Sequence, residues 1–561
     1  MDDIESLSEI SDEIRLAYAG RWVAFLQDRV VGHGGTPIQA LKSARSVCPK
    51  ETPKIIYVPT LQDLEYPEAF YRIQEILGFN QEIYLIGGSV RDALQGRPVH
   101  DLDFVLARDP RPLANQVAGI LGAAYYLMDD KRLTVRLIIP DSGDAKKIIA
   151  DFAVIRGTDL EADIHARDFT LNAMAVSLAA PQKLLDPLDG LTDLRSGVLR
   201  ACSQDAMKSD PLRIVRGIRQ AVQFGFRISP ETTNLMKAAV PGLETVSMER
   251  RRDELFRMLE SKQPVRAIRA LDRLGALSFI LPELQQLKGV LQTPPHIFDV
   301  WDHTLHLVEY LPQILDILDP AINPDKIADI YSGLLALKLG CYRQKFWEHF
   351  SQVLNPNRSL KPLLLLAGLY HDIAKPFVQT MDETGRIRAF GHEQEGVRIF
   401  ENRGMELGLS RAEIDRGKSI IRHHMRIHQM VQAGEKPSRR AVHRFFRDTG
   451  DAGVDIILLT LADVTGTYGS GLSQDLWERY LVVCTEFLDA WWNSPAAPIL
   501  PVPLLNGDDL IALFNLKPGR IIGLLLEDLK EAQADGEVTD VDSAAAYLRY
   551  RLDSGEFHQY G

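Results

Sequence analysis

The stretch Ile83-Tyr-Leu-Ile-Gly87-Gly88-Ser89-Val90-Arg91-Asp92, with Asp101-Leu-Asp103-Phe-Val-Leu just after it, decides the fold of this chain. The apolar run at Ile83 stops on two glycines, the pattern of a buried strand meeting a tight turn. The turn opens a helix, where backbone N–H groups and the helix N-terminus can cradle phosphates and Arg91 can add a fork of donors. A Gly-Gly pair alone serves any chain reversal equally well. Asp101 and Asp103 are two apart on an apparent strand, so both carboxylates project from one face and need a cation between them. Mg²⁺ bound by a few carboxylates and substrate phosphates meets that need. Two such ions would activate an attacking hydroxyl and stabilise a pyrophosphate leaving group. A lone Asp-x-Asp is also an ordinary solvated strand end; its place after the Gly-Gly-x-Val-Arg-Asp turn favours the metal reading.

Working outward, a helix near Leu113 to Leu121 and apolar runs at Val135 to Ile139 and Ile148 to Val154 continue a compact α/β head. Asp151 interrupts the last run, where an unpaired carboxylate is costly, and is the candidate third carboxylate. Arg167-Asp168-Phe-Thr-Leu-Asn172-Ala is a dense polar cluster, either a salt-bridged capping segment or a site for the ribose and phosphates of a nucleotide. Asp210-Pro-Leu-Arg213-Ile-Val-Arg216 is expected to begin an amphipathic helix with Asp210 and Arg213 on one face. A carboxylate accepts from an exocyclic amine while a guanidinium donates to a ring acceptor. Cytosine and adenine both offer that edge, so the pair is either a protein template for C and A or a surface ion pair.

Upstream, Trp22-Val-Ala-Phe-Leu, Arg29-Val-Val, a helix from Ile38 to Val47 and Lys54-Ile-Ile-Tyr-Val predict a hairpin, helix and strand module. Beyond Leu199 the periodicity is helical almost to the end. Expected limits are an accessory α/β module at 1–62, a head at 69–200, a helical neck at 201–285, a second helical domain at 294–467 and a helical C-terminal region at 468–561. The length, 561 residues, suits several cores rather than one.

The net charge of −12 argues at first against a polyanionic partner. Between Arg195 and Leu274, however, 16 Lys and Arg face 9 Asp and Glu, so RNA has a place to dock. Cys48, Cys202, Cys341 and Cys484 are too scattered for a zinc knuckle or a disulfide framework. Neither a leader nor an apolar run long enough to span a membrane is evident, so a cytoplasmic protein without a membrane partner is expected.

The ordered set Gly87-Gly88-Ser-Val-Arg91-Asp92, Asp101-Leu-Asp103, Arg167-Asp168-Phe-Thr-Leu-Asn172-Ala, Asp186-Pro-Leu-Asp-Gly190 with Asp193, and Asp210-Pro-Leu-Arg213 resembles the class II CCA-adding enzyme and poly(A) polymerase superfamily. The resemblance covers roughly residues 70 to 280. It implies an α+β fold with a polymerase-β-like head on a mixed sheet, then an all-α neck and body. It also implies transfer of C and A from CTP and ATP to the 3′ end of tRNA or another RNA. Carried over, Asp101 and Asp103 bind Mg²⁺ with Asp151 nearby, and Gly87, Gly88 and Arg91 contact the triphosphate. Arg167, Asp168 and Asn172 place the nucleotide, and Asp210, Arg213 and Arg216 belong to base selection. Glu249-Arg-Arg-Arg-Asp-Glu254 looks like the later basic motif that steadies the neck helices. Three positions depart from the pattern: Ala166 stands for a second Arg, Ser209 for an acidic residue and Asp151 for Glu. They leave the number and identity of added nucleotides open among C and A, CC only, A only and poly(A).

His371-Asp372 is expected inside an otherwise apolar helix, Leu369-Tyr-His-Asp-Ile-Ala-Lys375, and His303, His392, His423-His424 and Asp463 flank it in order. A His-Asp dipeptide alone is commonly just a hydrogen-bonded pair. The ordered set resembles the HD phosphohydrolase superfamily over roughly residues 294 to 467, an all-α fold. It implies a divalent transition metal on His303, His371, Asp372 and Asp463, with His392, His423 and His424 serving a second metal or the phosphate. It further implies hydrolysis of a phosphoester, on an RNA end a 2′,3′-cyclic or terminal phosphate. A chain that is chiefly such a hydrolase, with an RNA-binding head, is the competing reading.

Overall fold

Apolar residues alternate along Thr134–Ile139 and Ile148–Val154 with every second side chain buried, as expected for strands with one face packed on helices. A computed structural model of the chain bears this out. It describes residues 14, 17–18, 21–26, 29–34, 37–49, 51–58, 64–78, 82–129, 133–140, 147–323, 327, 329–355, 358–434, 436–493 and 499–554. Two compact units are present, 1–246 with 273–276, and 247–272 with 277–561. Their division falls inside the expected 201–285 neck.

In the first unit, seven strands form one sheet in the order 180–185, 175–177, 83–86, 101–106, 148–154, 134–139, 124–129. Asp101–Leu106 and Ile148–Val154 run parallel, and every other pairing is antiparallel. The sheet is mixed, as the resemblance implied. Helices Glu68–Leu77 and Arg111–Leu121 contribute buried Phe70, Ile73, Ala114 and Val117 to its core. Phe104 stacks on Phe152 with ring centroids 4.9 Å apart and on Phe70 at 6.2 Å. Strands 124–129, 175–177 and 180–185 escaped the sequence reading, because none is a buried apolar run of strand length.

The accessory module folds as expected, with Arg21–Leu26 pairing both Arg29–Gly34 and Lys54–Val58 beside helix Pro37–Val47. Residues 1–13 and 59–63 of the expected 1–62 and its boundary lie outside the described residues. The second unit is helical apart from two short hairpins, 353–355 with 358–359 and 380–381 with 387–388. Its last three helices, Gly507–Phe514, Arg520–Asp535 and Val541–Asp553, surround their own core of Leu510, Leu525, Leu529 and Leu548. The four cysteines are free thiols. No described helix is long and apolar enough to cross a membrane.

Phe104 is buried between two aromatic rings, so truncation leaves a cavity the sheet cannot close. Phe104→Ala is expected to lower the stability of the first unit by about 3–5 kcal/mol in urea unfolding. A loss below about 1 kcal/mol would contradict this packing.

Candidate active sites

The parallel register sets Asp103 directly beside Asp151, and Asp101 two residues earlier shares that face. Asp151 is held by Arg136 on the next strand, whose Nε and Nη2 donate to its two carboxylate oxygens at 2.8 and 2.7 Å. Burial, then the charge of Asp151, pushes the Asp103 carboxyl up to about 6, although Arg167 and Arg136 oppose the rise. A divalent cation held by Asp101 and Asp103 would offset such repulsion, and their oxygen donors are of the kind Mg²⁺ takes.

The Gly-Gly turn is tied to this strand. Ser89 Oγ donates to the Asp101 carbonyl at 2.8 Å and accepts from the Asp103 N–H at 3.2 Å. Gly87 has φ +90°, and a Cβ there would lie 3.4 Å from Arg167 Nη1 and 3.5 Å from Asp103 Oδ2, so glycine keeps the floor of the site open. The Gly87 N–H itself is taken by the Met174 carbonyl. Arg91 is buried, bonds Asp92 through Nε and Nη2 at 2.9 Å, reaches Asn172 Oδ1, and rests on the Phe224 ring.

The polar cluster after Ala166 is a network anchored by two buried carboxylates. Asp163 accepts from Arg167 Nε at 2.9 Å and from the Arg156 N–H. Asp168 accepts from the Phe169 N–H and Asn172 Nδ2 and lies 3.4 Å from Arg216. Burial alone would raise the Asp168 carboxyl, but Arg216, Asn172 and the Phe169 N–H together bring it below the ordinary range. Asn172 also bonds Gln220 on the helix Leu212–Phe224. Asp186 accepts from the N–H groups of Gly190 and Leu191, and Asp193 receives the Thr170 hydroxyl. Asp193 thereby ties the helix Gly190–Arg195, whose first N–H groups donate to Asp186, to the 167–172 segment.

The expected one-face pairing of Asp210 and Arg213 on a helix needs correction. The helix is Leu212–Phe224, and Asp210 precedes it with extended backbone, φ −150° and ψ 94°, because Pro211 disfavours helix in the residue before it. Arg213 is buried and donates to the carbonyls of Arg167, Ala206 and Ala166 at 2.9, 3.1 and 2.8 Å. In this geometry it clasps the start of the helix to the backbone at Ala166 and Arg167. Within Glu249–Glu254, Arg251 bonds the Phe279 carbonyl and Arg252 the carbonyls of Leu407 and Gly408, while Glu254 is buried beside Arg257.

The second unit gathers two triads, His303 with His371 and Asp463, and Asp372 with His392 and His424. His371 and Asp372 follow helix Leu360–Tyr370 in a turn, rather than lying inside the helix as the sequence suggested. His303 comes from helix Val300–Ile317, His392 opens His392–Glu406, His424 follows Arg411–His423, and Asp463 sits in Ala452–Tyr468. The Nδ1 atoms of His371, His392 and His424 each lie 2.7–2.8 Å from a backbone carbonyl three residues back. In the neutral ring that places the proton on Nδ1 and turns the Nε2 lone pair inward, as a metal ligand requires. The facing Nε2 atoms of His303 and His371, and of His392 and His424, stand 3.3 Å apart. Two lone pairs so close fit a shared cation, and imidazole with carboxylate suits a divalent transition metal. Gly466 makes room, since a Cβ there would lie 3.2 Å from His303 Nδ1.

Asp372 lies between the triads. Its Oδ2 is 3.1 Å from His371 and its Oδ1 is 3.4 Å from His392, with Lys375 Nζ 2.6 Å from Oδ2. Burial would raise Asp372, but His371 and Lys375 hold it far below the usual range. Burial, then the charges of His371 and His392, lowers His424 to about 3. A cavity of about 470 Å³ opens beside this cluster, lined by His296, Lys375, Arg388, His428 and Asp463 among others. His423 joins neither triad; the charges that bear on it are those of Arg426, Asp448 and Arg422.

Sequence reasoning missed Arg136, Asp163, Gln220, His296 and His428. Arg136 carried a signal, a lone cation within the apolar run Val135 to Ile139. His428, whose Nε2 lies 2.8 Å from Asp463 and whose Nδ1 bonds the Tyr480 hydroxyl, had none.

Residues 83–200 match the family described as "Poly A polymerase head domain", and residues 225–287 that described as "Probable RNA and SrmB- binding site of polymerase A". Residues 331–464 match "HD domain", and 15–60 match a family of unknown function. The chain is 32% identical over 471 residues to the A-adding tRNA nucleotidyltransferase of Deinococcus radiodurans, covering 83% of this chain and 94% of the relative. It is 29% identical over 481 residues to the CC-adding tRNA nucleotidyltransferase of Thermus thermophilus, covering 84% and 94%. Among solved structures, the Thermotoga maritima CCA-adding enzyme complexed with tRNA superposes with a TM-score of 0.53 at 21% identity, over 88% of this chain and 97% of that one. A CCA-adding enzyme in complex with ATP gives 0.56 at 20% identity over the same shares. The mixed-sheet head with helices after it is thus the fold of the CCA-adding enzymes. The chain belongs to the tRNA nucleotidyltransferase and poly(A) polymerase family and is a nucleotidyltransferase that also carries an HD domain.

Two predictions follow from the geometry. If Asp103 holds a catalytic Mg²⁺, a proton competes for it below pH about 6, so the Mg²⁺ concentration giving half-maximal nucleotide incorporation should climb up to about tenfold per pH unit there and flatten above it. A titration showing a constant requirement from about pH 5 to 7 would contradict this. In the HD region, Asp372→Ala should abolish Co²⁺ retention by both triads, whereas His424→Ala should spare the His303, His371 and Asp463 triad. Equal metal content in the two variants would refute the arrangement.

Proposed function

We propose that this chain adds C, A or both to the 3′ end of tRNA from CTP and ATP without a nucleic-acid template, by metal-assisted nucleotidyl transfer at Asp101 and Asp103. The observation that carries the reading is the common face of Asp101, Asp103 and Asp151, set by the parallel register of their strands. Mg²⁺ on Asp101 and Asp103 would supply positive charge to the RNA 3′ hydroxyl and to the pyrophosphate that leaves. Asp151, held by Arg136, stands beside Asp103 as the third carboxylate. Gly87 and Gly88 leave room for the triphosphate, with Arg91 beneath them. Arg167, Asp168 and Asn172 place the nucleotide, and Arg216 stands beside Asp168. Asp210 would accept the exocyclic amine shared by cytosine and adenine. Arg213 would act with it after releasing at least one of the carbonyls it now holds.

The HD cluster forms a second reaction site, with a divalent transition metal on His303, His371, Asp372 and Asp463 and a further metal or the phosphate on His392 and His424. The metal would polarise a phosphoester for attack by water. His423, outside both triads, is a weaker candidate for phosphate. The working division is a head to residue 200, a neck to 285, an HD domain to 467 and a helical tail, in a cytoplasmic enzyme.

One observation favours a divided activity. Relatives matched along more than 80% of this chain include both A-adding and CC-adding enzymes. Ala166 offers only its carbonyl to Arg213, and Ser209 bonds the Ala206 carbonyl, so neither adds charge near the selecting pair. The test is incubation with tRNAs ending before the first C, after CC and after CCA, each with one nucleotide at a time. Extension of at least one acceptor by CTP or ATP, with none by UTP or GTP, is expected. No extension of any acceptor would overturn the proposal.

A further inference from the structure

The carboxylate row does not end at Asp151. Asp103 pairs with Asp151, Asp151 with Arg136, and Arg136 with Tyr126 on the edge strand Ala124–Asp129. Directly paired residues share a face, so Asp103, Asp151, Arg136 and Tyr126 form one transverse row across four strands. The Tyr126 ring is 51% exposed at the open end of that row. Edge strands are normally blunted with charge, whereas this one exposes Tyr125, Leu127 and Met128 as well, and Tyr126 is the member that lies in the carboxylate row. Three strand spacings separate Tyr126 from Asp103, roughly 14 Å along the sheet. That is the span of a few nucleotides measured back from a reacting end.

We infer that Tyr126 is a stacking platform for an unpaired base of the acceptor RNA, a short way upstream of the 3′ hydroxyl presented to Asp101 and Asp103. The inference rests on the proposed nucleotidyl transfer. Every base has a π-face, so a tyrosine ring holds a single-stranded end whatever its sequence. This suits an acceptor whose terminal base changes at each addition. Arg136, between Tyr126 and Asp151, contributes positive charge on the path of the backbone while its ion pair keeps the third carboxylate in place. The RNA is favoured over a protein partner because the exposed ring lies in register with the carboxylates that must receive the RNA end.

Tyr126 is a positioning residue on this account, so its loss should weaken RNA binding and leave nucleotide handling alone. With the full chain and a tRNA acceptor shown to be extended by the wild type, Tyr126→Ala should raise KM for RNA about ten- to hundredfold, the loss of one stacked base. KM for the nucleotide should stay unchanged, and Tyr126→Phe should restore the RNA KM. A 2-aminopurine placed within the last three acceptor positions should be quenched on binding wild type and Tyr126→Phe but not Tyr126→Ala. An unchanged RNA KM in Tyr126→Ala, or a change in oligomeric state in its place, would overturn the inference and leave the transferase reading standing. Failure of the wild type to extend any acceptor would remove the foundation of both.

Discussion

Parallel pairing of Asp101–Leu106 with Ile148–Val154 brings acids from strands far apart in sequence onto one patch of one face. Like charges at that spacing repel, and burial of Asp103 sharpens the cost. The surroundings answer with fixed cations, Arg136 against Asp151 and Arg167 near Asp103, and with Gly87 at a positive φ beside Asp103. In the proposed reaction, the charge that the protein does not neutralise would be met by Mg²⁺. The Ser89 hydroxyl, the Asn172 network and the Asp186 and Asp193 braces keep this one surface in place.

The HD region solves the same problem with different donors. Asp372 and Asp463 are buried with histidines rather than arginines, and the neutral histidine rings can offer Nε2 lone pairs to a metal. Soft, directional nitrogen ligands suit a transition metal, whereas carboxylates beside an open glycine turn suit Mg²⁺ and phosphate oxygens. The two centres are therefore chemically distinct as well as separate in sequence.

Local pattern made much of this legible. The i, i+2 spacing of Asp101 and Asp103, the Gly-Gly turn and the apolar strands are short-range features, and the sheet places them as read. The ordered histidines and acids of the HD region came from resemblance, and the triads gather all of them except His423. Tertiary proximity was illegible. His428 and Tyr480 meet across 52 residues and Arg136 meets Asp151 across 15, with no spacing rule to join them. Asp210 was misplaced because helical periodicity downstream outweighed the constraint imposed by Pro211. Strand 124–129 was missed because its residues face water, and apolar periodicity reports only what is buried.

The central claim is that two independent metal centres serve two reactions in one chain. It is tested most directly by following nucleotide incorporation into tRNA and phosphate release from a phosphoester side by side in wild type, Asp101→Ala and Asp372→Ala. The account predicts that Asp101→Ala loses incorporation and keeps phosphate release, while Asp372→Ala does the reverse. Loss of both activities in either folded variant, or incorporation that survives Asp101→Ala, would contradict it.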